Sequence, residues 1–181
     1  MVSTKLLTAQ DLWNLGDQGE KYELIRGELI EVSPAGGTHG AIMMTIGRLL
    51  GNYVSEHRLG RLYGGDVGFI VHNNPDTVLG PDVAFLAKER VPEDDSGYIL
   101  TPPDLAIEIA SPGNSAREIE RKIGAYLSSG VRQVWIVYPG KRQVIVHSPS
   151  DPPRTLYADH KLTGGDILPG LSITVSSLFD D

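Results

Sequence analysis

The chain has 181 residues, 40% of them hydrophobic and 22% charged, with a net charge of −7 and no cysteine. This length suits one domain with a single core, and the composition excludes a disordered chain and, with no run of about 18 apolar residues, a membrane-spanning helix. The absence of cysteine excludes disulfides, thiolate metal sites and a cysteine nucleophile, and the acidic balance argues against a nucleic-acid binder that works through overall basicity, while leaving a local basic groove open.

The N-terminus, through Asp17, mixes polar and acidic residues and lacks the apolar stretch and small-residue cleavage site of a signal peptide, so a cytoplasmic, non-exported protein is expected. Residues 8–15 predict a short lead-in helix, with Thr8 as its cap, packing through Leu12 and Trp13. Tyr22 to Val32 reads as a tight hairpin turning at Arg26-Gly27, closed by Ser33-Pro34. Thr38 is expected to cap an amphipathic helix over residues 39–57, whose apolar stripe is Ile42, Ile46, Leu49, Leu50 and Tyr53.

Three extended segments follow, Leu62–Val71, Val78–Ala87 and Leu105–Ala110, and are expected to be neighbours in one sheet. Ser115 and Glu118 form a capping-box pattern that opens a second helix running to about Ser128, with Gly130 as its stop. Val134–Tyr138 is apolar enough for a strand buried on both faces, and Pro139-Gly140-Lys141 turns it into Gln143–His147. The tail reads as loops and a short terminal segment. The expected class is α/β, a mixed central sheet flanked by helices, in one domain over 1–181: an N-terminal helix and hairpin (1–37), a core (38–148) and a C-terminal extension (149–181).

Two carboxylates attract attention. Glu108 interrupts the apolar run Leu105-Ala-Ile-Glu-Ile-Ala110, where an ionised group is costly unless it is paired, coordinated or protonated. Strand alternation puts it on the face of Ala106 and Ala110, whose small side chains leave room for a ligand, although a single buried salt bridge would also satisfy it. Asp82 follows Pro81 at the start of a strand, a pattern that backbone turn chemistry alone can explain. Together the two make an oxygen pair of the kind that Mg²⁺ accepts alongside several waters.

Pro81-Asp82 and, after an interval of 26 residues, Ile107-Glu108-Ile109 resemble the PD-(D/E)XK nuclease superfamily. More specifically, Tyr22-Glu-Leu-Ile-Arg-Gly27-Glu, Ser33-Pro34, His39, Pro81 to Phe85, Pro103 to Pro112, Lys122, Tyr126, Gly130-Val131 and Trp135 resemble the Uma2 family, also called DUF820. The resemblance implies a restriction-endonuclease-like core of α-β-β-β-α-β order, in which Asp82 and Glu108 bind Mg²⁺ or Mn²⁺. Ala110 stands where the superfamily usually has its lysine, and the family pattern offers Lys122 on the following helix instead. Read without the family, Lys122 suits a surface pair with Glu118 at i,i+4.

The family's histidine matches His39, which could orient water or a phosphate, although a lone histidine in a first helical turn is often without special role. Glu23 and Glu28 also match family positions, yet read as solvated hairpin side chains and stay outside the expected site. The implied activity is metal-dependent endonucleolytic hydrolysis of DNA. Two other readings remain: an idle interaction or assembly module on the same fold, and a metal-dependent hydrolase of small phosphoesters, which would tolerate the acidic charge better. Homo-oligomerisation, as a dimer or higher, is expected through Val134–Tyr138 and Gln143–His147 if these strands present an edge. No zinc finger, RNP motif or basic helix is present to read bases.

Overall fold

The hairpin forms where the turn chemistry asks for it. Strands β1 (Tyr22–Ile25) and β2 (Glu28–Glu31) pair with Ile25 opposite Glu28, and both turn residues take positive φ, 54° at Arg26 and 79° at Gly27. The computed structural model describes residues 6–65, 67–111 and 113–180, so Met1–Lys5 and Pro112 of the sequence reading lie outside the described residues. Helix α1 (Ala9–Trp13) starts at a complete capping box between Thr8 and Asp11. Leu12 is buried as expected, but Trp13 is half-exposed and meets the edge of the Tyr98 ring instead of the core.

Helix α2 (Gly37–His57) begins before Thr38, which therefore does not cap it. Gly36 takes the extended cap conformation and offers no side-chain acceptor, so Thr38 already lies inside the first turn. Of the expected apolar stripe Ile42, Ile46 and Leu50 are buried, Leu49 and Tyr53 are partly buried against the same core, and Val54, outside the expectation, joins them.

The expected single sheet divides in two, and the first two long segments each break in the middle. Leu62–Val71 becomes β3 (Gly60–Gly64) and β4 (Phe69–His72), while Val78–Ala87 becomes β5 (Thr77–Leu79) and β6 (Val83–Ala87). The breaks fall at Gly64-Gly65 and at Gly80-Pro81, where glycine bends easily and proline lacks the N–H that a ladder needs. A four-stranded sheet in the order β2-β1-β5-β4 carries the hairpin. The central sheet runs β10-β9-β8-β7-β6-β3, with β7 at Leu105–Ile109, β8 at Gln133–Tyr138, β9 at Gln143–His147 and β10 at Arg154–Leu156. Strand β7 is antiparallel to β6 and parallel to β8, and helix α3 (Ala116–Ser128) makes the crossover.

The tail is more ordered than its composition suggests, which corrects the expectation of loops. It adds β10 to the central sheet and then forms the ribbon β11 (Lys161–Gly164) and β12 (Leu168–Thr174). Because β10 covers β9, neither β8 nor β9 is an edge strand, and their expected role as an oligomer edge fails for that reason. The residues of β7 alternate between two cores: Leu105, Ile107 and Ile109 pack with α2 and the tail, while Ala106 joins Tyr126, Ile136 and Phe69 between the two sheets. Among the described residues no helix is long and apolar enough to cross a membrane.

Candidate active site

The sheet junction is where the charged groups gather. Val83 pairs with Ile107 across antiparallel strands, so Asp82, one residue before β6, comes beside Glu108. There its side chain replaces the ladder: Asp82 Oδ2 accepts the Ile109 N–H at 2.6 Å. Its other oxygen, Oδ1, lies 3.2 Å from His39 Nε2 in the first turn of α2. His39 Nδ1 is buried with no hydrogen-bond partner among the described residues.

Glu108 points away from the α2 core, as alternation requires, and both of its oxygens are engaged. Oε2 accepts from Lys122 Nζ at 2.8 Å and Oε1 from the Tyr126 hydroxyl at 2.6 Å. Lys122 and Tyr126 are four residues apart on α3 and so share one face of the helix, turned towards the sheet. The surface pair with Glu118 does not form. The Glu118 carboxylate instead accepts the Ser115 N–H at 2.8 Å to close the capping box. Beside Ala110, a small pocket of about 40 Å³ is lined by Glu108, Asn114, Glu118 and Lys122.

Sequence reasoning missed two members of this cluster. Glu23, read as a solvated hairpin residue, is 8% exposed, and its Oε1 accepts both the Gly80 N–H at 2.9 Å and Lys122 Nζ at 3.0 Å. The detectable signal was its alternation with Ile25, which faces the core between the sheets. The inner position of β1, between β2 and β5, was not readable locally. Tyr126 was noted for resemblance alone, and its fully buried hydroxyl proves to hold Glu108. Glu28 remains exposed as expected, 3.7 Å from Arg121.

Two carboxylates thus share one lysine with Asp82 close by on His39, and the electrostatics record the crowding. Burial, then the nearby Glu108 charge, hold the Asp82 carboxyl up at about 6, against the opposing pull of the Ile109 N–H and His39. Burial also raises Glu23 above the ordinary glutamate range, with Lys122 pulling it down and Glu108 pushing it up. For Lys122 burial favours the neutral amine, but the Glu108 and Glu23 charges outweigh it and hold the ammonium above the usual lysine value. Burial and the same carboxylates push the Tyr126 phenol well above its ordinary value, so it serves as a hydrogen-bond donor.

The donor chemistry fits one kind of metal ion and not another. Among the described residues no group of three or more His, Cys, Asp or Glu side chains is arranged to enclose a metal, so a closed zinc-type cage does not fit. Two carboxylates in a region of excess negative charge do fit a hard divalent cation that keeps most of its waters.

The mixed sheet, its flanking helices and the carboxylate-lysine cluster at its junction define a protein of the restriction-endonuclease-like α/β class. The chain belongs to the Uma2 family, also called DUF820, whose model, described as "Putative restriction endonuclease", matches residues 9–176. Its fold is similar to the crystal structure of "a putative nuclease belonging to DUF820" from Anabaena variabilis. The TM-score is 0.84, with 22% identity, over 96% of this chain and 97% of that one, a likeness of fold. An uncharacterised protein of Synechocystis is 27% identical over 127 residues, 70% of this chain and 71% of that protein.

Proposed function

We propose that this protein is a divalent-metal-dependent endonuclease that hydrolyses phosphodiester bonds in DNA, with Asp82 and Glu108 holding Mg²⁺ or Mn²⁺. The observation that carries the reading is the crowding of carboxylates: Glu108 and Glu23 share a single lysine, and Asp82 beside them, met by His39 and the Ile109 N–H, is held up at about 6. Carboxylates crowded together and partly withdrawn from water cost stability unless something compensates them, as a bound cation would. Nucleases of this class generally use divalent metals, which supports the same reading.

A bound divalent ion supplies Lewis acidity towards a phosphoryl oxygen and a more acidic water. The residues of the chain provide the rest. In the hydrolysis, water oxygen bonds to phosphorus, the bond to the leaving oxygen breaks, and that oxygen takes up a proton. Lys122 offers fixed positive charge to the oxygens on which negative charge grows, where a preorganised charge is worth most. Tyr126 holds Glu108 by its Oε1, and His39, 3.2 Å from Asp82, orients the water or the leaving group.

The working unit in this reading is the whole chain, 1–181, acting in the cytoplasm as a homo-oligomer. With β8 and β9 internal, any sheet-to-sheet contact falls to the edge strands. The test is cleavage of single- and double-stranded DNA with Mg²⁺ or Mn²⁺ by wild type, Asp82→Ala and Glu108→Ala, after circular dichroism confirms that each variant folds. Cleavage by wild type alone supports the reading. Cleavage that survives either substitution refutes the metal assignment, and activity on nucleotides but not on DNA moves the substrate to small phosphoesters.

A further inference from the structure

We infer that Glu23 is a positioning residue that keeps Lys122 in the site when Glu108 is engaged by a cation. The inference rests on the metal reading of Glu108 given above. Lys122 Nζ has two carboxylate partners on different sheets, Glu108 on β7 at 2.8 Å and Glu23 on β1 at 3.0 Å. A divalent ion drawn to Glu108 repels the ammonium and competes for the same carboxylate. Lysine has a flexible four-carbon stem, so one tethered to Glu108 alone would swing away at the moment its charge is needed.

Glu23 is built to prevent this. It lies in β1, which is paired on both sides, with Leu24 opposite both Leu29 and Val78. Its Oε1 is fixed by the Gly80 N–H at 2.9 Å, and Gly80 belongs to the same Gly-Pro-Asp run that sets Asp82. One short peptide segment therefore fixes both the carboxylate proposed to hold the cation and the carboxylate that holds the lysine. Nothing in the hairpin itself asks for a buried charge here, because the next two residues of the strand, Leu24 and Ile25, are buried and apolar.

The inference also accounts for the lysine's unusual origin. A lysine at position 110 would be carried by the extension of β7 itself, beside Glu108. One reaching in from α3 lacks that constraint, and Glu23 supplies it from the opposite sheet.

The test uses the full chain and reads Lys122 directly. In ¹⁵N-labelled protein, the ammonium cross-peak of Lys122 is assigned by its loss in Lys122→Met. It is then followed at one pH in wild type, Glu108→Ala and the Glu23→Ala/Glu108→Ala double variant. The peak is expected in wild type and in Glu108→Ala, and is expected to vanish into rapid exchange in the double variant. Glu23→Gln/Glu108→Ala replaces the double variant if the latter loses the wild-type amide fingerprint. In wild type the peak is also expected to persist at saturating Mg²⁺, whereas in Glu23→Ala it disappears when the metal is added.

Three results overturn the inference: no protected Lys122 peak in wild type, its loss in Glu108→Ala alone, or its survival in the double variant. Failure of the metal reading has a different signature, an absence of Mg²⁺-induced shifts around Asp82 and Glu108, and the metal-free variants still decide the role of Glu23. For cleavage, Glu23→Ala is expected to lower kcat by about tenfold or more at unchanged KM, since a transition-state charge is lost and substrate binding is not.

Discussion

Strand β7 has a carboxylate towards each end, Asp104 buried and Glu108 partly buried, and the two are treated differently. Asp104, just before the strand, is 2% exposed and fully answered: Arg90 Nη1 meets Oδ1 at 2.5 Å and the Ala87 N–H donates to Oδ2 at 2.8 Å. Arg90 in turn reaches the Pro102 carbonyl at 2.8 Å, so one cation and one anion close on each other. At the other end Glu108 shares its lysine with Glu23, Asp82 is held up at about 6, and His39 Nδ1 has no hydrogen-bond partner among the described residues. A buried charge that only stabilises a fold is paired one to one. An over-negative cluster beside a pocket is the mark of a site that is completed by something bound.

The contrast breaks most sharply under substitution. Asp82→Ala and Glu108→Ala are expected to cost at least about 10³-fold in metal-dependent cleavage while leaving the folded state intact, checked by turnover and by calorimetric Mn²⁺ binding. Asp104→Ala should do the reverse. It strands Arg90 and the Ala87 N–H, so urea unfolding should show a loss of about 3–5 kcal/mol, with kcat per folded molecule unchanged. Lys122→Met is expected to fall between these, lowering kcat by about 10²-fold with the metal-binding midpoint kept.

A smaller effect comes from pH. The Asp82 carboxyl is raised from 3.8 to about 6, so between these values the native protein binds a proton that the unfolded chain has released. The stability contributed by this group is therefore complete below 3.8 and is lost as the pH rises through about 6. Metal-free Asp82→Asn should lack this loss and exceed wild type by about 1–3 kcal/mol at pH 7, measured by denaturant unfolding across pH 4–8. A cation held as proposed takes the ionised form, so any stability that added Mg²⁺ gives wild type should grow over the same range, measured in the same unfolding series. At the bottom of the scale, Glu28→Ala removes a partner of Arg121 at 3.7 Å on the surface and should change stability by less than about 0.5 kcal/mol.

Much of the site could be read from local chemistry. Glu108 was conspicuous because a charge in Leu105–Ala110 needs an answer, and alternation correctly assigned its face opposite Leu105, Ile107 and Ile109. The Arg26-Gly27 turn and the Ser115–Glu118 capping box followed from residue types at fixed spacing, and both formed as expected. The start of α2 was misjudged because an extended Gly36 can cap a helix by backbone conformation alone.

What stayed hidden depended on partners distant in sequence. Nothing local shows that β4 and β5 leave the central sheet, that β10 covers β9, or that Glu23 meets Lys122 across 99 positions. Alternation states which face a residue takes but not which element lies against that face. The chain by itself determined the hairpin, the two main helices, the buried faces of the central strands and the two carboxylates of the junction, but not the breaks in two of its strands or the strands of the tail. Only the tertiary structure decided that one of these carboxylates, Glu108, shares its lysine with a third, Glu23, because that arrangement arises where two sheets meet and belongs to no single strand.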